Sequence, residues 1–337
     1  MQIVALDANS SHSGDVIFAN VTYQTKGIEG QTTDLNLTVR DLEDYYNYTQ
    51  IGHYISNGSF RIKDVTPPVY EWILRPTEGT TGDPKNVSLL VTDNLSVVTG
   101  YTISLAGSAG DGTHTMSKNG DYYNYTIQVR SDSIANITYS CRFTDAEGVS
   151  NTTGDVTMTV TDNDKPTITV ALSRDIILND HSHRARPPGT NQSRLNVTAI
   201  DNIPDGIANV TVNQSAITGQ PAHPIPHKHG TDMWWMNLKA LTHGINCTNT
   251  LVITVTDNAG NCNTSTVYLT VLRRGDVVRD NTINSGDVLY IAKYLVGKES
   301  MPSLLVADVV PAIGNGLITS GDALYIAKFL ANIESAP

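Results

Sequence analysis

Residues Ile283–Gly297 (INSGDVLYIAKYLVG) recur 35 positions later as Ile318–Asn332 (ITSGDALYIAKFLAN), with ten of fifteen positions identical. A half-loop and helix written twice must satisfy one physical requirement twice, and the residues ahead of the first copy indicate what it is. Asp276, Asp280, Thr282, Asn284 and Asp287 fall at positions 1, 5, 7, 9 and 12 of a twelve-residue loop. Those are the offsets from which an EF-hand-type loop aims oxygen at calcium, position 7 through its backbone carbonyl. A helix begins at the closing acid, and Val288, Leu289, Ile291, Ala292 and Leu295 give it an apolar face. A plain helical hairpin with Asp287 and Asp322 as acidic N-caps is the alternative, but caps alone leave Asp276, Asp280 and Asn284 unexplained.

This duplication resembles a dockerin, the small module that plugs into cohesin domains, over roughly Arg273–Ile333. The resemblance implies calcium as the cofactor and a cohesin-like domain as the partner. Position 3 departs from it, because Val278 stands where an Asn or Asp ligand is usual. In the second copy Asp308 lies fourteen residues before Asp322 instead of eleven, which reads as a three-residue insertion within Val310–Gly314. Asp308, Asn315, Leu317 (by its carbonyl), Thr319 and Asp322 are then the second ligand set, with Val310 at position 3 and weaker binding expected. By the same resemblance the partner surface is Ser285, Gly286, Lys293 and Tyr294 with Ser320, Gly321, Lys328 and Phe329. The competing role for Tyr294 and Phe329 is to pack against each other inside the module.

The rest of the chain has the composition of β-sandwiches. Only 16 % of the 337 residues are charged, and Thr, Ser, Asn, Val and Tyr are abundant. Two acidic, proline-bearing linkers, Asp64–Pro68 (DVTPP) and Asp162–Pro166 (DNDKP), each separate one run of alternating strands from another. Expected boundaries are residues 1–65, 66–163, 164–272 and 273–337. The two middle units have the size and turn spacing of immunoglobulin-like sandwiches. The runs LLVTDN, LNVTAIDN and VITVTDNAGN all end in an Asp-Asn turn, and the pair resembles the tandem immunoglobulin-like repeats of prokaryotic surface proteins. The expected fold class is therefore mainly β: tandem sandwiches followed by a small α-helical calcium-loop module.

At the N-terminus, FANVTY, LNLTV and SNGSFRI occur in the order of the second half of a cohesin, which the segment resembles. A half sandwich leaves strand edges and an apolar face to be covered by an upstream segment or by another chain. The opening MQIVALD carries no cationic start or cleavage site, so it reads as a processed product or part of a longer chain.

Sixteen Asn-x-Ser/Thr sequons occur, about three times what the Asn, Ser and Thr content predicts. They are Asn9, Asn20, Asn36, Asn47, Asn57, Asn86, Asn94, Asn124, Asn136, Asn151, Asn191, Asn196, Asn209, Asn213, Asn246 and Asn263. None lies in the duplicated segment. This density points to covalently attached glycans and to an extracellular or cell-surface location. Incidental sequons on polar strand faces are the alternative. Of the three cysteines, Cys247 and Cys262 are expected to pair in an oxidising compartment, and Cys141 to be a buried small apolar residue.

Other candidates carry less. Asp162, Asn163 and Asp164 sit where a calcium between sandwiches would find ligands, with an ordinary Asx turn as the alternative. The His-rich stretches around His181 and His183, and His223, His227 and His229, lack acids or Cys at metal spacing and read as solvated loops. Tyr45, Tyr46 and Tyr48, Tyr122, Tyr123 and Tyr125, and Trp234 and Trp235 would suit sugar stacking, but such residues more often fill sandwich cores. No nucleophile elbow, zinc-protease motif or phosphate loop is present, so no catalytic residue is assigned. A net charge of −11 argues against nucleic acid, and no apolar run is long enough to span a bilayer. The sequence thus points to an assembly protein that joins head to tail, dockerin-like end to cohesin-like end of the next copy, in a filament or surface layer. A surface protein docking on a separate cohesin scaffold and a carbohydrate-binding accessory module are the alternatives. The combination of features resembles archaeal surface proteins.

Overall fold

The computed structural model describes residues 26–38, 50, 55–95, 97–179, 189–228, 230–240, 243 and 245–337. The sequons at Asn9, Asn20 and Asn47, the tyrosines 45, 46 and 48, the histidines 181, 183 and 229, and most of the cohesin-like segment lie outside them. The chain divides into two compact units. The first comprises residues 1–79, 84–129 and 135–159, and the second residues 80–83, 130–134 and 160–337.

Two short strands, β1 (Thr32–Leu35) and β2 (Gly58–Arg61), pair antiparallel near the N-terminus, with every residue of both exposed. The first sandwich follows, built from β3 (Val69–Leu74), β4 (Glu78–Thr80), β5 (Pro84–Thr92), β6 (Gly100–Gly107), β7 (Gly112–Thr115), β8 (Ser117–Asn119), β9 (Tyr122–Gln128), β10 (Ile137–Thr144), β11 (Ser150–Thr152) and β12 (Val156–Thr161). One sheet has the order β3-β5-β9-β8 and the other β4-β12-β10-β6-β7, with β11 also on β10. Alternation sets the core. Val156, Met158 and Val160 are buried between exposed threonines, and Ile137, Tyr139, Cys141 and Phe143 are the buried alternates of β10.

The second sandwich repeats this arrangement. It uses β13 (Thr167–Leu172), β14 (Ile176–Leu178), β15 (Ser193–Ile200), β16 (Ile207–Asn213), helical turn α1 (Ser215–Thr218), β17 (Ala222–Pro224), β18 (Met233–Leu238), β19 (Cys247–Asp257) and β20 (Cys262–Leu272). Its sheets run β13-β15-β18 and β14-β20-β19-β16-β17. In each sandwich the first two segments split between the sheets, and the last strand lies beside the short second one. This is an immunoglobulin-like topology. The second core gathers Leu195, Val197, Val210, Val212, Trp234, Leu251, Ile253, Val255 and Leu269.

Beyond β20 come α2 (Ser285–Leu295), a short α3 (Leu304–Ala307) and α4 (Ser320–Leu330). Both long helices start at the Ser of the repeated Ser-Gly-Asp. Ile291, Val306, Ala307, Val309, Tyr325 and Ile326 form their core, and Leu178 of β14 and Leu272 of β20 belong to the same cluster. The helices thus share a core with the sandwich before them, within one unit. The expected apolar face of α2 needs correction. Ile291 is buried, but Leu289 and Leu295 are exposed, because the core lies under Ile291 and the half-buried Val288 and Tyr294. No helix among the described residues is long and apolar enough to cross a membrane.

Candidate metal centres

The first calcium-type loop closes on itself through the predicted residues. Asp287 accepts from the amides of Val278 (2.9 Å) and Asn284 (2.8 Å). Asn284 accepts from the amide of Gly286 at 2.6 Å, so Asn284 and Asp287 form a capping box at the start of α2. Asp280 accepts from the Thr282 amide (2.9 Å) and hydroxyl (2.7 Å) and from the Asn284 side chain (2.9 Å). These bonds, led by the Thr282 hydroxyl, hold the Asp280 carboxyl below the ordinary range. Asp276 is fully buried and takes the Asp280 amide at 3.2 Å on one oxygen and the Asn246 side chain on the other. Burial first, then the charge of Asp287, pushes its pKa up. Hydrogen bonds link the five predicted residues along one loop, but Asp276, Asp280 and Asp287 do not bring their oxygens within 4.8 Å of one another, and Val278 at position 3 leaves its side chain in solvent.

The second loop is held differently. Asp322 accepts four bonds, from the amides of Val309, Val310 and Thr319, each 2.8 Å, and from the Thr319 hydroxyl at 3.0 Å. Asp308 takes the amides of Asn315 (2.8 Å) and Gly316 (2.6 Å) on Oδ2, and its Oδ1 is buried without a hydrogen-bond partner. The inserted stretch turns at Gly314, with φ +77, where a Cβ would stand 2.8 Å from an Asp308 oxygen. Asn315 accepts from the Leu317 amide at 2.9 Å, and Leu317 itself is exposed. Buried Arg274 donates to the carbonyls of Asp308 (2.7 Å) and Ala312. Asp287 and Asp322 are both bonded on both oxygens, but Asp322 takes four donors where Asp287 takes two.

Among the described residues, two trios of acids bring one oxygen each within 4.8 Å of the others, and neither lies in these loops. One trio is Asp162, Asp201 and Asp257; the other is Asp64, Asp93 and Asp145. The topology makes them. In each sandwich the first strand pairs antiparallel with the third segment (β3 with β5, β13 with β15), so the residues entering the first strand meet the turn leaving its partner. The ends of β10 and β19 meet the starts of β6 and β16, which follow that same turn. Three acids thus converge: one from the linker, one from an Asp-Asn turn, and one from the turn that ends β10 or β19.

Of the predicted linker residues, Asp162 joins its trio directly. The Thr81 hydroxyl lies 3.0 Å from Asp162 Oδ1, 3.1 Å from Asn163 Oδ1 and 2.8 Å from Asp164 Oδ2. The Asn202 amide reaches Asp162 (3.2 Å), Asp164 (3.0 Å) and the Ser131 carbonyl (2.6 Å). The sequence reading did not bring Asp201 and Asp257 to Asp162; their signal was the Asp-Asn pair in LNVTAIDN and VITVTDNAGN.

Cys247 and Cys262 do not meet, which corrects the expected disulfide. In the hairpin of β19 and β20, Cys247 faces Val271 and Cys262 faces Thr256, so the two sit at opposite ends of eleven-residue strands. That is roughly 30 Å of strand at 3.3 Å per residue, against the 7 Å limit between bridged Cα atoms. All three thiols are free, and Cys141 is buried as expected. His227 stacks on Trp234 (4.4 Å between centroids) and Arg194 lies over Trp235 (4.1 Å). Tyr123 is a core residue. On the predicted partner surface Ser285, Lys293, Ser320 and Lys328 are exposed, and Gly286, Tyr294, Gly321 and Phe329 half-buried.

No protein-family profile and no curated protein matches the chain. Solved structures do, at low similarity. The fibronectin(III)-like modules of Clostridium thermocellum CbhA align with 12 % identity and a TM-score of 0.24, over 61 % of this chain and 95 % of theirs. An ICAM-5 D1-D4 ectodomain fragment aligns with 14 % identity and a TM-score of 0.32, over 65 % and 57 %. A bacterial ice-binding adhesin aligns with 16 % identity and a TM-score of 0.26, over 63 % and 67 %.

Proposed function

We propose that the chain is a non-enzymatic extracellular assembly protein. Its C-terminal helices form a calcium-stabilised, dockerin-like end that docks on the cohesin-like N-terminal part of another copy. The observation that carries this reading is a surface presented twice. Ser285 and Ser320, Lys293 and Lys328, Leu289 and Leu324 are exposed at matching positions of α2 and α4, with the two leucines 55 % and 57 % accessible. Exposed apolar residues beside small ones, duplicated on one module, suit a partner surface that accepts either orientation. A head-to-tail contact that does not close produces a filament. Electron microscopy of the purified chain in calcium tests this. Filaments that vanish in the Ser285→Glu/Ser320→Glu double variant are the expected result. Filaments that persist in it would place the contact elsewhere. Monodisperse parent protein that binds a separate cohesin would favour docking on a foreign scaffold, and monomers that bind only glycan would favour a carbohydrate-binding module.

A further inference from the structure

We propose that each sandwich carries its own divalent-cation site, one at Asp64, Asp93 and Asp145 and the other at Asp162, Asp201 and Asp257, with calcium the ion that fits. Neither site depends on the helical loops or on docking.

The spacing is the first support. Oxygens on opposite sides of one calcium, each about 2.4 Å from it, stand about 4.8 Å apart. Both trios fit inside that span. The second support is buried oxygen with nothing to bond. Asp145 and Asp257 are each only 2 % exposed. Each spends Oδ1 on its own turn: Asp145 takes the amides of Glu147 (2.9 Å) and Val149 (2.8 Å), and Asp257 the amide of Asn261 (2.8 Å). In both, Oδ2 is buried without a hydrogen-bond partner, on a carboxylate that brings an oxygen within 4.8 Å of the other two acids. Oδ1 of Asn202 and Oε2 of Glu147 are likewise buried without a hydrogen-bond partner. A buried carboxylate oxygen left unmatched is destabilising, and three acids in contact are more so. No Lys, Arg or His forms an ion pair with Asp162, Asp201 or Asp257 among the described residues.

The Thr81 hydroxyl adds a third support at the second site. It has one proton to give and sits within 3.0 Å of two carboxylates, Asp162 and Asp164. At least one of those contacts therefore sets oxygen against oxygen, which a nearby cation would make favourable. The donors at both sites are all oxygen, with no His or Cys, which selects a hard cation; the number of ligands available favours calcium over the stricter octahedron of magnesium. The two sites repeat residue for residue. Each linker Asp lies five residues before its sandwich's first strand and four before a buried proline. Nothing in an immunoglobulin-like fold requires that repetition of acids.

The test uses the full chain and the isosteric variants Asp145→Asn and Asp257→Asn, singly and together. Native mass spectrometry in calcium counts bound ions, and thermal melts are run with calcium and with chelator. Each single variant should lose one bound calcium and the double variant two, while the helical loops, untouched, keep theirs. In chelator the amides remove charge repulsion, so the variants should melt as high as the parent or higher. In calcium they should melt lower. An unchanged ion count in the double variant, or a melting shift that is the same with and without calcium, would overturn the proposal.

Discussion

Asn263 donates its side-chain amide to the carbonyl of Pro166 at 2.8 Å, fastening the last strand of the second sandwich to the residue that leads into its first. In the first sandwich Asn151, on β11, reaches the Pro68 carbonyl in the same way at 2.9 Å. Asn246 is engaged too, donating to Asp276 and accepting from the amide of Arg273 at 3.0 Å. All three are sequons, and glycan transfer needs the same nitrogen. Glycopeptide mapping is therefore expected to find Asn151, Asn246 and Asn263 bare. The exposed Asn36, Asn57, Asn136, Asn209 and Asn213 should carry the glycan.

The thiols should separate by accessibility. Burial pushes the Cys141 thiol up to about 12, so almost no thiolate forms at neutral pH. Cys247 and Cys262 are exposed. Alkylation of native protein should label the latter two and spare Cys141, and non-reducing peptide maps should show no bridge within one chain. Equal labelling of all three would contradict the buried position.

Leu178 couples the second sandwich to the helices. It is 1 % exposed and packs in the helical core from β14. Leu178→Ala should cost about 3 kcal/mol, as buried leucine truncations do, and chemical denaturation should show it. For the same reason a fragment beginning at Arg273 should be much less stable than its sequence suggests, because it lacks Leu178, Leu272 and Asn246.

The two closing acids should differ. Asp287 satisfies two donors, so Asp287→Ala is expected to cost about 1–2 kcal/mol, the range of a lost cap. Asp322 satisfies four, and its loss strands the amide of the buried Val309. Asp322→Ala should cost about 2–4 kcal/mol. Denaturant melts in chelator, where metal makes no contribution, would compare them. An equal cost would mean that the second loop rearranges.

Alternation and turn residues made the strands legible, and the repeated Ser-Gly-Asp marked both helix starts. The hydrogen-bonded loop through residues 276, 280, 282, 284 and 287 was legible because its members are close along the chain. What escaped was non-local. Cys247 and Cys262 are close in sequence but belong to a long hairpin, and strand length rather than separation along the chain decides their distance. Leu289 and Leu295 fit an apolar helical stripe, yet the core lies under only part of it. Asp201 and Asp257 each read as an ordinary turn acid. Only the pairing of first strand to third and of β16 to β19 shows that they share a corner with Asp162.

The parallel patch of Ile176–Leu178 on Thr270–Leu272 gives the second sandwich a mechanical property. Tension entering through β13 and leaving through the end of β20 pulls these two segments past each other along their length. Their bonds are then loaded together, as in a lap joint, and do not peel one by one. Single-molecule stretching should record a distinct resistance before this sandwich extends, and Ile177→Pro, which removes a donor and a buried side chain of the patch, should lower it.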